Sequence, residues 1–284
     1  MPARAAIRTT RLPSGDAMPV LGQGTWELGN NARRRAEEIK ALRLGLDLGM
    51  TLIDTAEMYG DGAAEELVAE AIEGRREEVF LVSKVLPQNA TRQGTVKACE
   101  KSLKRLRTDY LDLYLLHWRE QVPLSETLEG FAGLMGAGKI RHWGVSNFDI
   151  DDMQELVALP GGKTVATNQV LYNLTRRGIE RDLIPWAEKI GMPLMAYSPI
   201  EQGRLLGHPI LQTIAQRHAG ATPVQIALAW VLRYPHICAI PRSGNPAHTR
   251  ENHGALAVRL TAQDFSDLDR AFPPPTKKVP LEML

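Results

Sequence analysis

The chain has 284 residues, 44% of them hydrophobic and 24% charged, with a formal net charge of +1. That length allows a sizeable core, as either two small domains or one large α/β barrel, and the near-neutral balance gives no reason to expect a nucleic-acid or acidic-membrane partner. No apolar run reaches the roughly 18 residues of a membrane span, and the opening Met-Pro-Ala-Arg-Ala-Ala-Ile-Arg lacks the apolar core of a signal peptide.

Residues 7–12 and 18–21 read as two short strands joined at Ser14-Gly15-Asp16, a hairpin. The first apolar run then ends in Gly22-Gln23-Gly24-Thr25-Trp26. From there short apolar runs alternate with helical periodicity. A helix is predicted at 33–48, with Ile39, Leu42 and Leu46 on one face and Gly49 as its stop. Leu52 and Ile53 form a strand, and 63–73 a helix. Val79 to Val82 lead to Lys84, followed by a helix at 92–107. Tyr110 to Leu116 lead to His117-Trp118, followed by a helix at 124–137. Ile140 to Val145 lead to Ser146-Asn147, followed by a short helix at 149–158. Val165 to Gln169 precede a helix at 178–190. Leu194 to Tyr197 precede a loop carrying Glu201-Gln202-Gly203-Arg204 and helices at 210–218 and 223–233. Ile237 to Ile240 lead to Pro241-Arg242-Ser243, and a last helix covers 261–271 before Pro273-Pro274-Pro275.

Eight strand–helix units without a linker or composition shift match one (β/α)8 TIM barrel, with an N-terminal hairpin, spanning residues 1–284 as a single domain. A doubly wound sheet would want G-x-G-x-x-G, and Gly22-Gln23-Gly24-Thr25 lacks the third glycine. Cys99 shares an apolar stripe with Val96, Leu103 and Leu106, and Cys238 sits inside His-Ile-Cys-Ala-Ile. Both read as packed thiols suited to a reducing cytoplasm. No Cys/His cluster has zinc-ligand spacing, so no catalytic metal is expected.

Asp54, Lys84, His117, Asn147, Gln169, Tyr197 and Arg242 each stand at or just past the C-terminal end of a predicted strand. In a (β/α)8 barrel those ends meet at one mouth, where active sites lie. The stretch Leu-Ile-Asp-Thr-Ala-Glu-Met-Tyr-Gly at 52–60 is ambiguous by itself, because Asp-Thr can cap a helix and Tyr59 can be an ordinary half-buried ring. Beside Lys84 and His117 it acquires a chemical reading. A phenol has an ordinary pKa of about 10, and an adjacent ammonium lowers it. Asp54 can hold Lys84, and His117 can orient a carbonyl. This set suits protonation of an oxygen that gains charge as hydride adds to a carbonyl, and the hydride would need a nicotinamide cofactor. A Schiff-base aldolase using Lys84 is a rival.

The motif Asp-Thr-Ala-Glu-Met-Tyr-Gly, Val82-Ser83-Lys84 and Leu115-Leu116-His117-Trp118 resemble the aldo-keto reductase family's tetrad, and the likeness runs through nearly the whole chain. It implies Asp54, Tyr59, Lys84 and His117 as catalytic residues, with Trp26 and Trp118 beside Tyr59 and His117 around the substrate. Gly144-Val145-Ser146-Asn147-Phe148 and Asn168-Gln169 resemble the segments whose Ser, Asn and Gln hold the nicotinamide carboxamide. Ala196-Tyr197-Ser198-Pro199 resembles the segment whose Tyr stacks on the nicotinamide. Gly24, Thr25, Trp26, Asp54, Ser198, Ile200, Gln202 and Arg204 join the cofactor set by the same likeness. Ile240-Pro241-Arg242-Ser243 is similar to the family's I-P-K-S, with Arg for Lys. It extends the set to Pro241, Arg242, Ser243, Asn245, His248, Glu251 and Asn252. The family's usual arginine three residues before the Glu falls on His248, which leaves NADH possible beside NADPH.

The resemblance implies reduction of aldehydes and small ketones, such as methylglyoxal, by a cytoplasmic monomer. The short stretch after residue 272 implies an open site. An NADPH-binding regulatory subunit of the potassium-channel β type is the alternative. Trp186 and Trp230 read as helix–barrel packing, Glu57 as a loop-shaping residue, and His142, His208, His218 and His253 as surface or cap residues. Arg119 is either an attractor of anionic substrates or a solvated side chain.

Overall fold

The computed structural model describes residues 7–284. The opening residues read for a signal peptide fall outside these as far as residue 6. Strands β1 (Thr9–Arg11) and β2 (Ala17–Pro19) form the expected antiparallel hairpin, with Thr10 opposite Met18. Its turn uses Gly15 at φ +94°, a region open to glycine at no steric cost.

The alternating elements then follow in order: β3 (Gln23–Gly24), α1 (Arg35–Asp47), β4 (Leu52–Asp54), α2 (Ala63–Ala71), β5 (Phe80–Val85), α3 (Arg92–Leu106), β6 (Leu111–Leu116) and α4 (Leu124–Gly136). The second half runs β7 (Ile140–Ser146), α5 (Ile150–Ala158), β8 (Asn168–Leu171), α6 (Leu183–Lys189), β9 (Leu194–Tyr197), α7 (Pro209–Arg217), α8 (Pro223–Val231), β10 (Ile237–Ala239), α9 (Pro246–Gly254) and α10 (Ala262–Ala271). Strands β3 to β10 are parallel, each paired with the next in sequence order. Parallel bridges Leu21–Ala239 and Gly24–Arg242 join the first to the last and close the (β/α)8 barrel. Gly24 is required at that seam, since a Cβ there would stand 2.8 Å from the Ile240 carbonyl oxygen.

Two-residue alternation decides what each strand offers the interior. Leu52, Val82, Leu113, Leu115, Met195 and Cys238 form an inner cluster with Leu12 and Met18 of the hairpin, which stops the N-terminal end of the barrel. Two residues further along the same rows come Asp54, Lys84, His117 and Tyr197. The apolar plug therefore ends where the polar layer at the mouth begins. The alternate residues, such as Ile53, Leu81, Val85 and Tyr114, pack outward against helix residues including Leu42, Leu67, Cys99, Phe131 and Trp230. Cys99 and Cys238 are buried and free, and burial pushes the Cys99 thiol up to about 12. Trp230 is fully buried and Trp186 partly so, as packing residues. His208 caps α7, His218 meets Asp264 at 2.8 Å, and His142 meets Asp16 of the hairpin turn at 3.2 Å.

Several expectations need correction. The helix expected at 178–190 is a 3₁₀ turn, Gly178–Glu180, followed by α6, because Pro185 has no N–H and fits only in a first turn. The sixth barrel strand begins at Asn168 instead of Val165, which places Gln169 inside β8. Helix α9 has no counterpart in the reading of the sequence. Only Thr249 and Asn252 of its nine residues are buried, so it carries no apolar period; its Asn245 cap and Pro246 opening were its available signals. The stretch after residue 272 does not leave the mouth clear: Glu282 pairs with Arg176, and the Leu284 N–H donates to Tyr197 Oη at 3.3 Å.

Candidate active site

Lys84 is fully buried, and its three ammonium protons have three acceptors. Nζ lies 2.8 Å from Asp54 Oδ2, 2.9 Å from the Thr55 carbonyl and 3.1 Å from Tyr59 Oη. Tyr59 reaches that position because the chain doubles back after β4. Gly60, Asp61 and Gly62 all have positive φ, and Tyr59–Gly62 is a 3₁₀ turn. Glu57 holds the preceding loop to the end of β5 by accepting from the Leu86 N–H at 2.8 Å and Asn89 Nδ2 at 3.0 Å, which matches its expected loop-shaping role.

Burial is the largest influence on both titrating groups of this pair. It raises Tyr59, and the Lys84 ammonium only partly offsets this, so the phenol ends above its ordinary value. The expectation of a lowered phenol pKa is corrected on that ground. For Lys84, burial disfavours the ammonium, but Asp54 and Tyr59 outweigh it and the pKa is raised. The resting pair is a neutral phenol bonded to a firmly charged ammonium.

His117 follows β6, with its ring 5.8 Å from Tyr59 and 4.9 Å from Trp118. Burial, then the nearby Lys84 charge, lowers its pKa to about 2, so the imidazole is neutral. Its Nδ1 is buried without a partner among the described residues. An unprotonated Nδ1 leaves the proton on Nε2, and the ring is then a neutral donor there. Trp26, 45% exposed, meets the Tyr59 ring edge-on at 5.4 Å, and the Trp118 indole N–H donates to Glu120 Oε1 at 3.0 Å. Trp26, Tyr59, His117 and Trp118 thus form one aromatic group at the mouth. Arg119 is partly exposed but not free: its guanidinium meets Asp152 at 2.9 Å and both Glu155 oxygens at 2.6 and 2.9 Å.

A second group adjoins the first. Gln169 Nε2 donates to Asp54 Oδ1 at 2.7 Å, and Ser146 Oγ donates to the Gln169 carbonyl at 2.8 Å. Asn147, at φ +61°, donates to Ser146 Oγ and to the His117 carbonyl and accepts from Tyr197 Oη at 3.0 Å. Amides, a hydroxyl and a partly exposed aromatic ring are the groups that a carboxamide-bearing aromatic ring needs. The residues present fit a nicotinamide. Thr25 is buried, and its hydroxyl donates to the Asp54 carbonyl at 2.9 Å; it stabilises the β3–β4 junction beside the bare backbone of Gly24.

A third group lies past β10. Pro241 is buried and its carbonyl accepts from Gly24 N. Arg242 is exposed and donates from Nε to the Trp26 carbonyl at 3.0 Å. Ser243 and Asn245 bond to each other, and Asn245 caps α9 through the Ala247 N–H at 2.8 Å. An exposed arginine beside a capped helix N-terminus suits a phosphate. Of the α9 residues, His248 is exposed, Glu251 half-buried and Asn252 buried.

Ser198, Ile200, Gln202 and Arg204 stand on a separate loop, where Ser198, Glu201, Gln202 and Gly203 all have positive φ. Arg204 donates to Gln202 and to Glu201 at 2.9 Å each. Buried Glu201 also accepts from Asn173 at 2.7 Å and from Arg176, which anchors the loop. Sequence reasoning missed Asn173, Arg176 and Glu201 as loop anchors, and the Thr55 carbonyl as a Lys84 acceptor. No motif flags a backbone oxygen, and the anchoring ion pair spans 25 positions. Among the described residues no group of three or more His, Cys, Asp or Glu side chains is placed to hold a metal.

A parallel barrel with this proton-relay cluster and amide-lined mouth defines an oxidoreductase architecture, and the aldo/keto reductase family model matches residues 20–272. The chain belongs to that family. It is 51% identical over 277 residues to methylglyoxal reductase YeaE of Escherichia coli K12, covering 95% of this chain and 97% of that one. Glyoxal reductase of Bacillus subtilis is 34% identical over 267 residues, with coverages of 92% and 91%. The crystal structure of an aldo-keto reductase from Klebsiella pneumoniae in complex with NADPH superposes with a TM-score of 0.94 at 47% identity, covering 98% of this chain and all of that one.

Proposed function

We propose that this protein reduces aldehydes and small ketones of the methylglyoxal class to alcohols, with NADPH as cofactor and Tyr59 as proton donor. The observation that carries the reading is the Lys84 ammonium held between Asp54 and Tyr59 at the mouth of the barrel. NADPH, when bound, supplies the hydride. Ser146, Asn147 and Gln169 would hold its carboxamide, Tyr197 would lie under its ring, and Arg242, Ser243 and Asn245 would take its adenosine phosphate.

The remaining chemistry belongs to the chain. His117 donates from Nε2 to the carbonyl oxygen and aims it at Tyr59. As that oxygen gains negative charge, Tyr59 gives it the phenolic proton. Lys84 then stabilises the phenolate left behind, and Asp54 keeps Lys84 charged and in place. The raised phenol pKa suits this order, because the acid stays protonated until an oxyanion appears next to it. Trp26 and Trp118 wall the substrate space.

A regulatory channel-type subunit has no need of the buried relay, and the relatives reported above carry reductase names. A Schiff-base aldolase needs a free amine, whereas Lys84 is charged and fully bonded. The reading includes one barrel domain over the chain and a monomer, and a location in the cytoplasm with which the buried free thiols agree. No helix among the described residues is long and apolar enough to cross a membrane.

The test is Tyr59→Phe, assayed for NADPH consumption with methylglyoxal. Turnover should fall by roughly 10²–10⁴-fold, the range for loss of a positioned acid, while NADPH affinity measured by fluorescence stays unchanged. Retention of most of the activity would refute the assignment.

A further inference from the structure

Glu27 has no part in the arrangement described so far. It follows Trp26 in the loop between β3 and α1, and its backbone is left-handed, φ +61°, which is uncommon for a residue with a side chain. The turn brings its carboxylate Oε2 to 3.6 Å from Arg242 Nη2, while Arg242 Nε is held by the Trp26 carbonyl at 3.0 Å. The guanidinium assigned to the adenosine phosphate therefore already has a carboxylate neighbour.

A second carboxylate, Glu38 of α1, lies under the same segment, since a Cβ at Gly244 would be 3.0 Å from its Cγ. Glu38 is buried and committed, accepting from the Gly29 N–H at 3.0 Å and lying 3.9 Å from Arg34. Glu27 is exposed and pairs with Arg242 across solvent-accessible space. A phosphate drawn to Arg242 arrives as an anion beside Glu27, and it must displace or endure that carboxylate. A ribose hydroxyl carries no charge and meets no such penalty.

We infer that Glu27 is a specificity-determining residue that weakens the preference for NADPH over NADH by competing with the 2′-phosphate for Arg242. The inference rests on the reading of Arg242 as the phosphate partner. It goes beyond the family likeness, which concerns only the cation.

The experiment is a fluorescence titration of the purified full chain with NADPH and with NADH, for wild type, Glu27→Gln, Glu27→Asp and Arg242→Ala, at low and high salt. Glu27→Gln should tighten NADPH roughly fivefold, the size of one exposed charge pair in water. NADH should stay unchanged, and the gain should shrink at high salt. Glu27→Asp should stay near wild type. Unchanged NADPH affinity in Glu27→Gln, or equal shifts for both cofactors, would overturn the inference. If Arg242→Ala binds NADPH as tightly as wild type, the phosphate reading fails, and this inference with it. If wild type binds neither cofactor, the fault lies with the nicotinamide reading itself.

Discussion

The Gln169 amide donates to Asp54 Oδ1 at 2.7 Å while the other oxygen of the same carboxylate takes the Lys84 ammonium at 2.8 Å. One side chain thus joins the proton relay to the amide group assigned to the nicotinamide. Asp54→Asn leaves a buried ammonium without its counter-charge and forces Gln169 to rearrange. Carbonyl reduction should fall by roughly ten- to a hundredfold, because the Lys84 cation that supports the Tyr59 phenolate loses the carboxylate that keeps it charged and in place. Unfolding free energy should drop by about 3 kcal/mol, as expected when one partner of a buried pair is removed. Steady-state kinetics and urea titration check both; an unaltered turnover number would contradict the linkage.

The pH profile follows from two shifts of known sign. Burial, only partly offset by Lys84, holds Tyr59 above the ordinary phenol value, so the acid remains protonated through neutral pH. Reduction should stay level from neutral pH to at least about pH 10 and then decline as Tyr59 loses its proton. His117, lowered to about 2, is neutral throughout this range, so turnover should show no inflection near the ordinary histidine value. The same shift acts on stability. Below about pH 6.5 the unfolded chain takes up a proton at His117 that the folded chain refuses, so this group destabilises the fold progressively as pH falls. A turnover profile with a limb near neutrality, in protein shown to be folded, would count against a neutral His117.

Tyr114 on β6 is fully buried, lies edge-on to Phe131 with ring centroids 5.9 Å apart, and its hydroxyl has no hydrogen-bond partner among the described residues. Tyr114→Phe removes that unpaired group and leaves the ring contacts in place. The variant should be more stable by up to about 1 kcal/mol in urea unfolding, with turnover unaffected. A loss of similar size would mean that the hydroxyl is satisfied.

Asp54, Lys84, His117 and Tyr197 were legible because strand ends and motif spacing are local properties, and a parallel barrel brings its strand ends together whatever the helices do. Glu57 was legible as a loop residue for a similar reason: it sits within the motif it serves. What escaped was non-local or aperiodic. Helix α9 is polar on nearly every face, so it leaves no hydrophobic period. Arg119 was left between two roles because its partners, Asp152 and Glu155, lie on α5, 33 and 36 positions away. The reach of Glu282 and Leu284 to the mouth depends on how residues 273–284 lie against the loop after β8, which composition does not encode.

The sequence by itself determined the barrel, through eight apolar runs at regular spacing, and the catalytic side chains, through residue type at the ends of those runs. Only the tertiary structure decided their chemical state. Whether Tyr59 sits above or below its ordinary pKa depends on the balance between burial and one ammonium, and that balance is set by distances and excluded water. The same holds for Arg242. Its presence after the last strand is written in the chain, but the carboxylate of Glu27 beside it arises only when the barrel closes at the Gly24–Arg242 seam.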